Sequence, residues 1–323
     1  MCTAITYTTK DHYFGRNLDF EHDFGECVTV TPRNFPFIFR QTTPMPHHYA
    51  MIGMATVSDG YPLYHDATNE YGVSMAGLYF PESAVYQSPK PRKTNLAPFE
   101  LIPWLLGHCK SAQEAVDHLK DCKIADLHFS DAYPSTPLHW ILADRDHSYT
   151  LEPRRDGLHI YDNPIGILTN EPPFDYHLTI LRNYRNITRE DAPDRFSNRY
   201  PLPAFSRGMG GIGLPGDLSS VSRFVRAAFT KLNSASGSSE SESISQVFHI
   251  LGSVAQQQGC VKVGNAYEKT IYTSCCNATK GIYYYTTYEN SQITGVQLAQ
   301  CDLEGTSLIT YPLITGQHIH MQN

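Results

Sequence analysis

No stretch of about 18 apolar residues occurs in this chain, so no membrane-spanning helix is expected. The start runs from Met1 directly into polar, alternating residues, without the basic and apolar regions of an export signal. The expected location is therefore the cytoplasm. Runs of lysine and arginine are missing too, and with them the footprint of a nucleic-acid binder. The eight cysteines include no C-x-x-C pair and none lies near histidines at zinc spacing, so no metal site is expected. In a reducing compartment most of them are small buried hydrophobes. G-x-S-x-G, Walker A and H-E-x-x-H motifs are also absent.

One common motif is spelled out without its context. Gly208 to Gly213 reads G-x-G-x-x-G, the dinucleotide pattern, which needs a strand before it and a helix after it. Pro203 precedes it and Leu214-Pro215-Gly216 follows, so a surface loop is the expectation.

What the chain does contain is ordinary globular material. Of 323 residues, 41% are apolar, 12% aromatic and 18% charged, enough for one large domain or two modest ones with a substantial core, and one domain over 1–323 is the expectation. The net charge of −7 offers no long-range attraction for an anionic ligand. Such a ligand would need local arginines or apolar burial.

Strand-like runs are Cys2–Thr8, Tyr13–Asn17, Val28–Thr31, Ala50–Val57 and Val73–Leu78. Two helices follow, Pro98–Leu106 and one capped by Ser111 with Glu114 three residues on. Strands return at Leu138–Ala143, Tyr149–Glu152, Leu158–Tyr161 and Ile165–Thr169. Helices are expected over Phe174–Asn183, Ser219–Leu232 and around Ile244–Leu251, with Ser234–Ser243 a flexible loop. The tail is β again, from Thr270 to Tyr311. Segregated blocks of strands and helices indicate an α+β fold rather than βαβ alternation.

The second position carries the chemistry. Methionine aminopeptidases remove Met1 before a small residue, which would leave Cys2 as the N-terminus. One residue then supplies a thiol nucleophile and an amine that titrates near neutrality, able to take the thiol proton. The alternative is an ordinary buried cysteine on the first strand. Gly15-Arg16-Asn17-Leu18-Asp19 ends the next strand, which a tight hairpin lays beside the first. Arg16 would favour the thiolate and Asp19 would orient the amine, unless the two form a plain surface ion pair.

Met1-Cys2-Thr3-Ala4, Gly15-Arg16-Asn17-Leu18-Asp19, Thr31-Pro32-Arg33-Asn34 and Leu168-Thr169-Asn170 resemble the choloylglycine hydrolase family of bile salt hydrolases and penicillin V acylases. Gly213-Leu214-Pro215-Gly216-Asp217, Ser222-Arg223-Phe224 and Tyr272-Thr273-Ser274 extend the resemblance over essentially the whole chain, in the same order. It is most similar to bile salt hydrolases of Gram-positive gut bacteria. The resemblance implies a four-layer αββα sandwich, the N-terminal nucleophile hydrolase fold, in a homotetramer. It implies Cys2 as nucleophile and base, Arg16 and Asp19 positioning it, Asn170 as an oxyanion donor and Arg223 in the surrounding polar network. No metal or organic cofactor is implied, and the partner is a small molecule, with neither nucleic acid nor membrane involved.

One position departs from the bile salt hydrolase pattern. Ala76-Gly77-Leu78 is followed by Tyr79, where those enzymes typically carry Asn and penicillin V acylases Tyr. The backbone N–H of Tyr79 still serves an oxyanion, so the departure bears on substrate choice. Positions matching the family's substrate loops are Leu18, Phe24, Phe129, Tyr133 and Leu138. For the leaving amino acid, Arg207 beside the Gly-rich segment is the expected anion contact, a guanidinium suiting a sulfonate. The reaction expected is hydrolysis of glycine- or taurine-conjugated bile salts. Hydrolysis of penicillin V by the same chemistry and a non-catalytic binder of amphipathic acyl amides are the alternatives.

Overall fold

The structure, a computed structural model, describes residues 1–323. Two antiparallel sheets pack face to face. The first has the order β12 (Ile167–Leu168), β1 (Cys2–Thr8), β2 (His12–Phe20), β14 (Ala266–Asn277), β15 (Ile282–Thr287) and β16 (Thr294–Gln297), with β13 (Val261–Val263) also on β14. The second has the order β11 (Gly157–Asp162), β10 (Ser148–Arg154), β9 (Leu138–Ala143), β6 (Ser74–Tyr79), β5 (Tyr61–Asn69), β4 (Met51–Ser58), β3 (Glu26–Thr31) and β17 (Ile309–Pro312). A short parallel pair, β7 (Thr94–Leu96) and β8 (Cys122–Ile124), lies apart.

Helices cover both outer faces. α1 (Leu101–His108) packs on β5 and β6, and α2 (Ala112–Leu119) packs on α1. α3 (Phe174–Ile180) contacts α4 (Ser220–Asn233), which lies on β1 and β12, while α5 (Glu240–Gly252) lies on β14 and β2. This is the four-layer αββα order. It explains why β1 and β2 are buried along nearly their whole length: each has a helix layer on one face and a sheet on the other.

Local signals account for the helix starts. Ser111 caps α2 by accepting from the Glu114 N–H at 3.1 Å. Ser239 and Glu242 form a full capping box on α5, so this helix begins inside the serine-rich stretch expected to be loop. The expected helix over Phe174–Asn183 ends as α at Ile180 and tightens to a 3-10 turn. β5 was not expected from sequence, since Pro62 and the polar run His65-Asp66 obscure its alternation. At Gly208–Gly213 there is one 3-10 turn, Met209–Gly211, and no flanking strand or helix for a dinucleotide.

A break in the second sheet matters most for function. β5 and β6 pair only from Thr68–Ser74 to Asp66–Ala76, and a bulge falls between Met54 and Ala55 on the other side of β5. Beyond these points the two strands part. The carbonyls of His65 and Gly77 are thereby released from the ladder, and both accept from Arg16 Nη1, at 2.8 and 3.0 Å.

Candidate active site

β1 and β2 pair in register from Cys2–Leu18 to Thr8–His12. Opposed residues share a face, so Cys2, Ala4, Arg16 and Leu18 point between the sheets, whereas Thr3, Asn17 and Asp19 point toward the helices. The two chemical halves of Cys2 are thus served from opposite sides of one strand pair.

On the inter-sheet side, Arg16 Nη2 donates to Cys2 Sγ at 2.9 Å. Both residues are buried, Arg16 to 1% exposure. Burial opposes the guanidinium charge, but the Tyr272 hydroxyl, the Cys2 sulfur and the Asp66 carboxylate around it outweigh that, and Arg16 stays protonated. Asp66 itself accepts from the hydroxyls of Tyr272 and Tyr283, at 2.8 and 2.7 Å.

On the helix side, α4 brings Arg223 down onto the backbone of β1. Its Nη1 donates to the Cys2 carbonyl at 2.5 Å and to Thr3 Oγ1 at 2.7 Å, and its Nη2 donates to Asn170 Oδ1 at 2.7 Å. Asp19 accepts from Thr270 Oγ1 at 2.6 Å through Oδ1, while its Oδ2 is buried without a hydrogen-bond partner, 3.9 Å from Arg223 Nη1. Burial raises the Asp19 carboxyl above its usual range, with Arg223 pulling the other way. The Met1 amine donates to the Asp19 carbonyl at 2.6 Å and pairs with Glu268.

Asn170 joins the two sides. Its Oδ1 also accepts from the Cys2 N–H at 2.8 Å, which fixes the amide so that Nδ2 donates to the Tyr79 carbonyl at 2.7 Å. Behind it, the Asn170 N–H donates to Ser220 Oγ at 2.8 Å and its carbonyl meets His177 Nε2 at 3.0 Å. Burial pushes His177 down to about 4, so it is neutral and donates from Nε2. The next residue, Glu171, accepts from the N–H groups of Glu82 and Ser83, at 3.0 and 2.9 Å, tying the segment after Tyr79 to Asn170. Phe80 N–H donates to the Pro137 carbonyl at 2.9 Å, so ladder alternation turns the Tyr79 peptide groups away from β9, toward Asn170.

Cys2 and Arg16 stand in the wall of a cavity of about 550 Å³. Leu18, Phe24, Tyr79, Phe129, Tyr133 and Leu138 all line it, so the expected nucleophile and acyl-group residues converge. Arg207 does not join them. It is exposed, lies outside the cavity wall and makes no hydrogen bond or ion pair, because residues 201–208 run along the surface to a left-handed turn at Gly208 (φ 80°). Sequence reading missed His65, Phe99 and Trp140 in the wall. Trp140 was legible, since it follows Leu138 at strand period just as Tyr79 follows Gly77; His65 carries no such signal. Ser220, His177 and Glu171, which set Asn170, were missed as well.

The arrangement offers a thiol beside a fixed cation, a buried carboxylate oxygen lacking a partner, an oriented amide, and an apolar trough leading away. The family model described as linear amide C–N hydrolases, choloylglycine hydrolase family, matches residues 2–311.

The chain belongs to the choloylglycine hydrolase family.

It is 52% identical to a bile salt hydrolase/transferase of Lactiplantibacillus plantarum, over 97% of both chains. It is 37% identical to a bile salt hydrolase/transferase of Clostridium perfringens, over 96% of each. A solved conjugated bile acid hydrolase variant from Clostridium perfringens superposes with a TM-score of 0.92 at 35% identity, covering 100% of both chains. A penicillin V acylase from Agrobacterium tumefaciens superposes with a TM-score of 0.77 at 20% identity over 97% of this chain and 92% of its own, a likeness of fold. The fold is the αββα sandwich of N-terminal nucleophile hydrolases, and the chain is an enzyme of the linear amide C–N class. No helix is long and apolar enough to cross a membrane.

Proposed function

We propose that this enzyme hydrolyses the amide bond of conjugated bile salts, releasing the free bile acid and glycine or taurine. Removal of Met1 frees the Cys2 amine at the point where its nitrogen already lies 2.8 Å from Asn170 Oδ1. The unpartnered Oδ2 of Asp19 then has an ammonium to accept from. In its neutral form that amine takes the thiol proton, and the sulfur attacks the substrate carbonyl. The Tyr79 N–H and the second Nδ2 hydrogen of Asn170 receive the charge that develops on oxygen, each aimed by the bonds that hold its residue. Collapse passes the proton to the leaving nitrogen, and a water cleaves the thioester with the amine again as base. An amine in place of that water would give the transferase reaction named for the Lactiplantibacillus relative. Every step uses groups of this chain.

The observation that carries the proposal is Arg16 held 2.9 Å from Cys2 Sγ at the head of the apolar cavity. The site draws on β1, β2, β6, α4 and the segment after β12, which supports one catalytic domain over 1–323. We place the enzyme in the cytoplasm as a homotetramer; Phe196, Tyr200, Phe205 and Ile212, exposed along one irregular segment, are suited to subunit contacts. Tyr79 in the cavity wall keeps penicillin V as a second substrate to test. Parallel product assays with glycocholate, taurocholate and penicillin V decide the matter. Amino-acid release from the conjugates at a higher kcat/KM than penicillin V cleavage is expected, and turnover of penicillin V alone would overturn the proposal.

A further inference from the structure

Polar atoms without partners are rare inside proteins, and each has a cost unless something satisfies it. Two of those in this chain lie in residues that line the substrate cavity away from Cys2: Trp140 Nε1 and Ser135 Oγ. Trp140 is 0% exposed, its Nε1 shut in against Gly77, 3.1 Å from where a Cβ would stand, and Ser135 Oγ is buried too, so neither atom faces the cavity. His65 does: it is half-buried, and its ring lines the cavity beside Phe24.

The hydrogen bonds around His65 decide its tautomer. Thr56 Oγ1 donates to the Phe24 carbonyl at 3.1 Å and meets His65 Nε2 at 3.0 Å. One hydroxyl has one proton. With that proton on Phe24, the ring donates from Nε2 and Nδ1 is left with a bare lone pair. Burial, with Arg16 adding to it, pushes the ring down to about 3, so it is neutral at working pH. Nδ1 is therefore an open acceptor in a mainly apolar wall whose other polar side chains include His22, Asp23 and Thr136. A hydroxyl on the ligand can donate to it. A purely hydrocarbon acyl group would leave it unpaired.

We propose that His65 reads a ring hydroxyl on the acyl group, which builds on the bile salt reaction above and makes this enzyme selective for hydroxylated over ring-deoxygenated conjugates. His65 Nδ1 accepts from that hydroxyl. His65 is a specificity residue here, distinct from its backbone carbonyl, which holds Arg16.

The test compares kcat/KM for three glycine conjugates: glycocholate, the conjugate of a cholanic acid with no ring substituent, and the conjugate in which the ring hydroxyls are oxidised to ketones. His65→Phe should lower the ratio of glycocholate to the unsubstituted conjugate by about ten-fold, the worth of one good hydrogen bond to a buried partner. The tri-ketone, which cannot donate to Nδ1, should be little affected relative to the unsubstituted conjugate. Thr56→Val, a near-isosteric change at another wall residue that frees the tautomer, should lower the same ratio by a smaller factor and serves if His65→Phe does not fold. Equal loss on all three conjugates would overturn the role of His65 while leaving bile salt hydrolysis standing. No turnover of any conjugate by the wild-type enzyme would instead overturn the proposed reaction.

Discussion

At the Cys2 end of the cavity Arg16, Arg223 and Asn170 are each tied to several partners, whereas the acyl end is lined mainly by aromatic and aliphatic side chains with a few polar ones among them. Arg16, Arg223 and Asn170 together make nine hydrogen bonds to Cys2, Thr3, His65, Gly77, Tyr79, Leu218 and one another. Chemistry needs donors fixed before the reaction begins, because reorganising them during it would consume the gain. Binding a rigid apolar ligand needs shape and area, with a few polar contacts for selection. The same cavity therefore has one end where substitution should cost catalysis and another that can be retuned.

The sharpest way to break this contrast is at the nucleophile. Cys2→Ser should fold with the same melting temperature to within a few degrees and lose at least about a thousand-fold in kcat, since a hydroxyl is a far weaker nucleophile near neutral pH. Wild-type turnover by a folded, Met1-free Cys2→Ser protein would remove the sulfur from the mechanism. Next in size is Asn170→Ala. Loss of one oxyanion donor costs roughly 10²–10³ in kcat, about 3–4 kcal/mol, and here the same change also releases Arg223 Nη2. Steady-state kinetics should show the loss in kcat with KM little altered; a change confined to KM would move Asn170 to the binding end. Smallest is Tyr79→Asn, on the boundary between the two ends. Its backbone faces Asn170 while its side chain lines the cavity. The ratio of glycocholate to penicillin V rates should shift several-fold, with activity retained, because side-chain contacts of this kind are worth about 1–2 kcal/mol. An unchanged ratio would place the Tyr79 side chain outside substrate selection.

The two ends also differ in how far the sequence discloses them. Cys2, Arg16, Asp19, Asn170 and Arg223 are found from position, motif and family likeness, and the hairpin register that joins the first three follows from a short turn between two strand runs. The acyl end is assembled from five separated stretches, around residues 18–24, 56–65, 77–79, 98–99 and 129–140. Five of its members, Leu18, Phe24, Phe129, Tyr133 and Leu138, were expected. His65 was not, because its place depends on where β5 and β6 part, and no local pattern marks a point at which two strands stop pairing. Arg207 failed for the opposite reason: a charged residue near a motif is adjacent in sequence, and here the chain carries it along the surface. Most strands and helices were legible from periodicity and caps. β5 was hidden by Pro62 and by the polar residues that the sheet break exposes to the cavity and to Arg16.

The central claim is that the Cys2 amine, released by loss of Met1, is the base for its own thiol. Intact-mass spectrometry on preparations with graded Met1 retention, each assayed for glycocholate hydrolysis at neutral pH, tests it directly. With Met1 attached, the Cys2 nitrogen is an amide that cannot accept a proton, and the Met1 amine is engaged by Asp19 and Glu268. Activity should rise in proportion to the Met1-free fraction and extrapolate to zero for the fully retained chain. A homogeneous preparation that keeps Met1 and turns over glycocholate as fast as the processed enzyme would contradict the account.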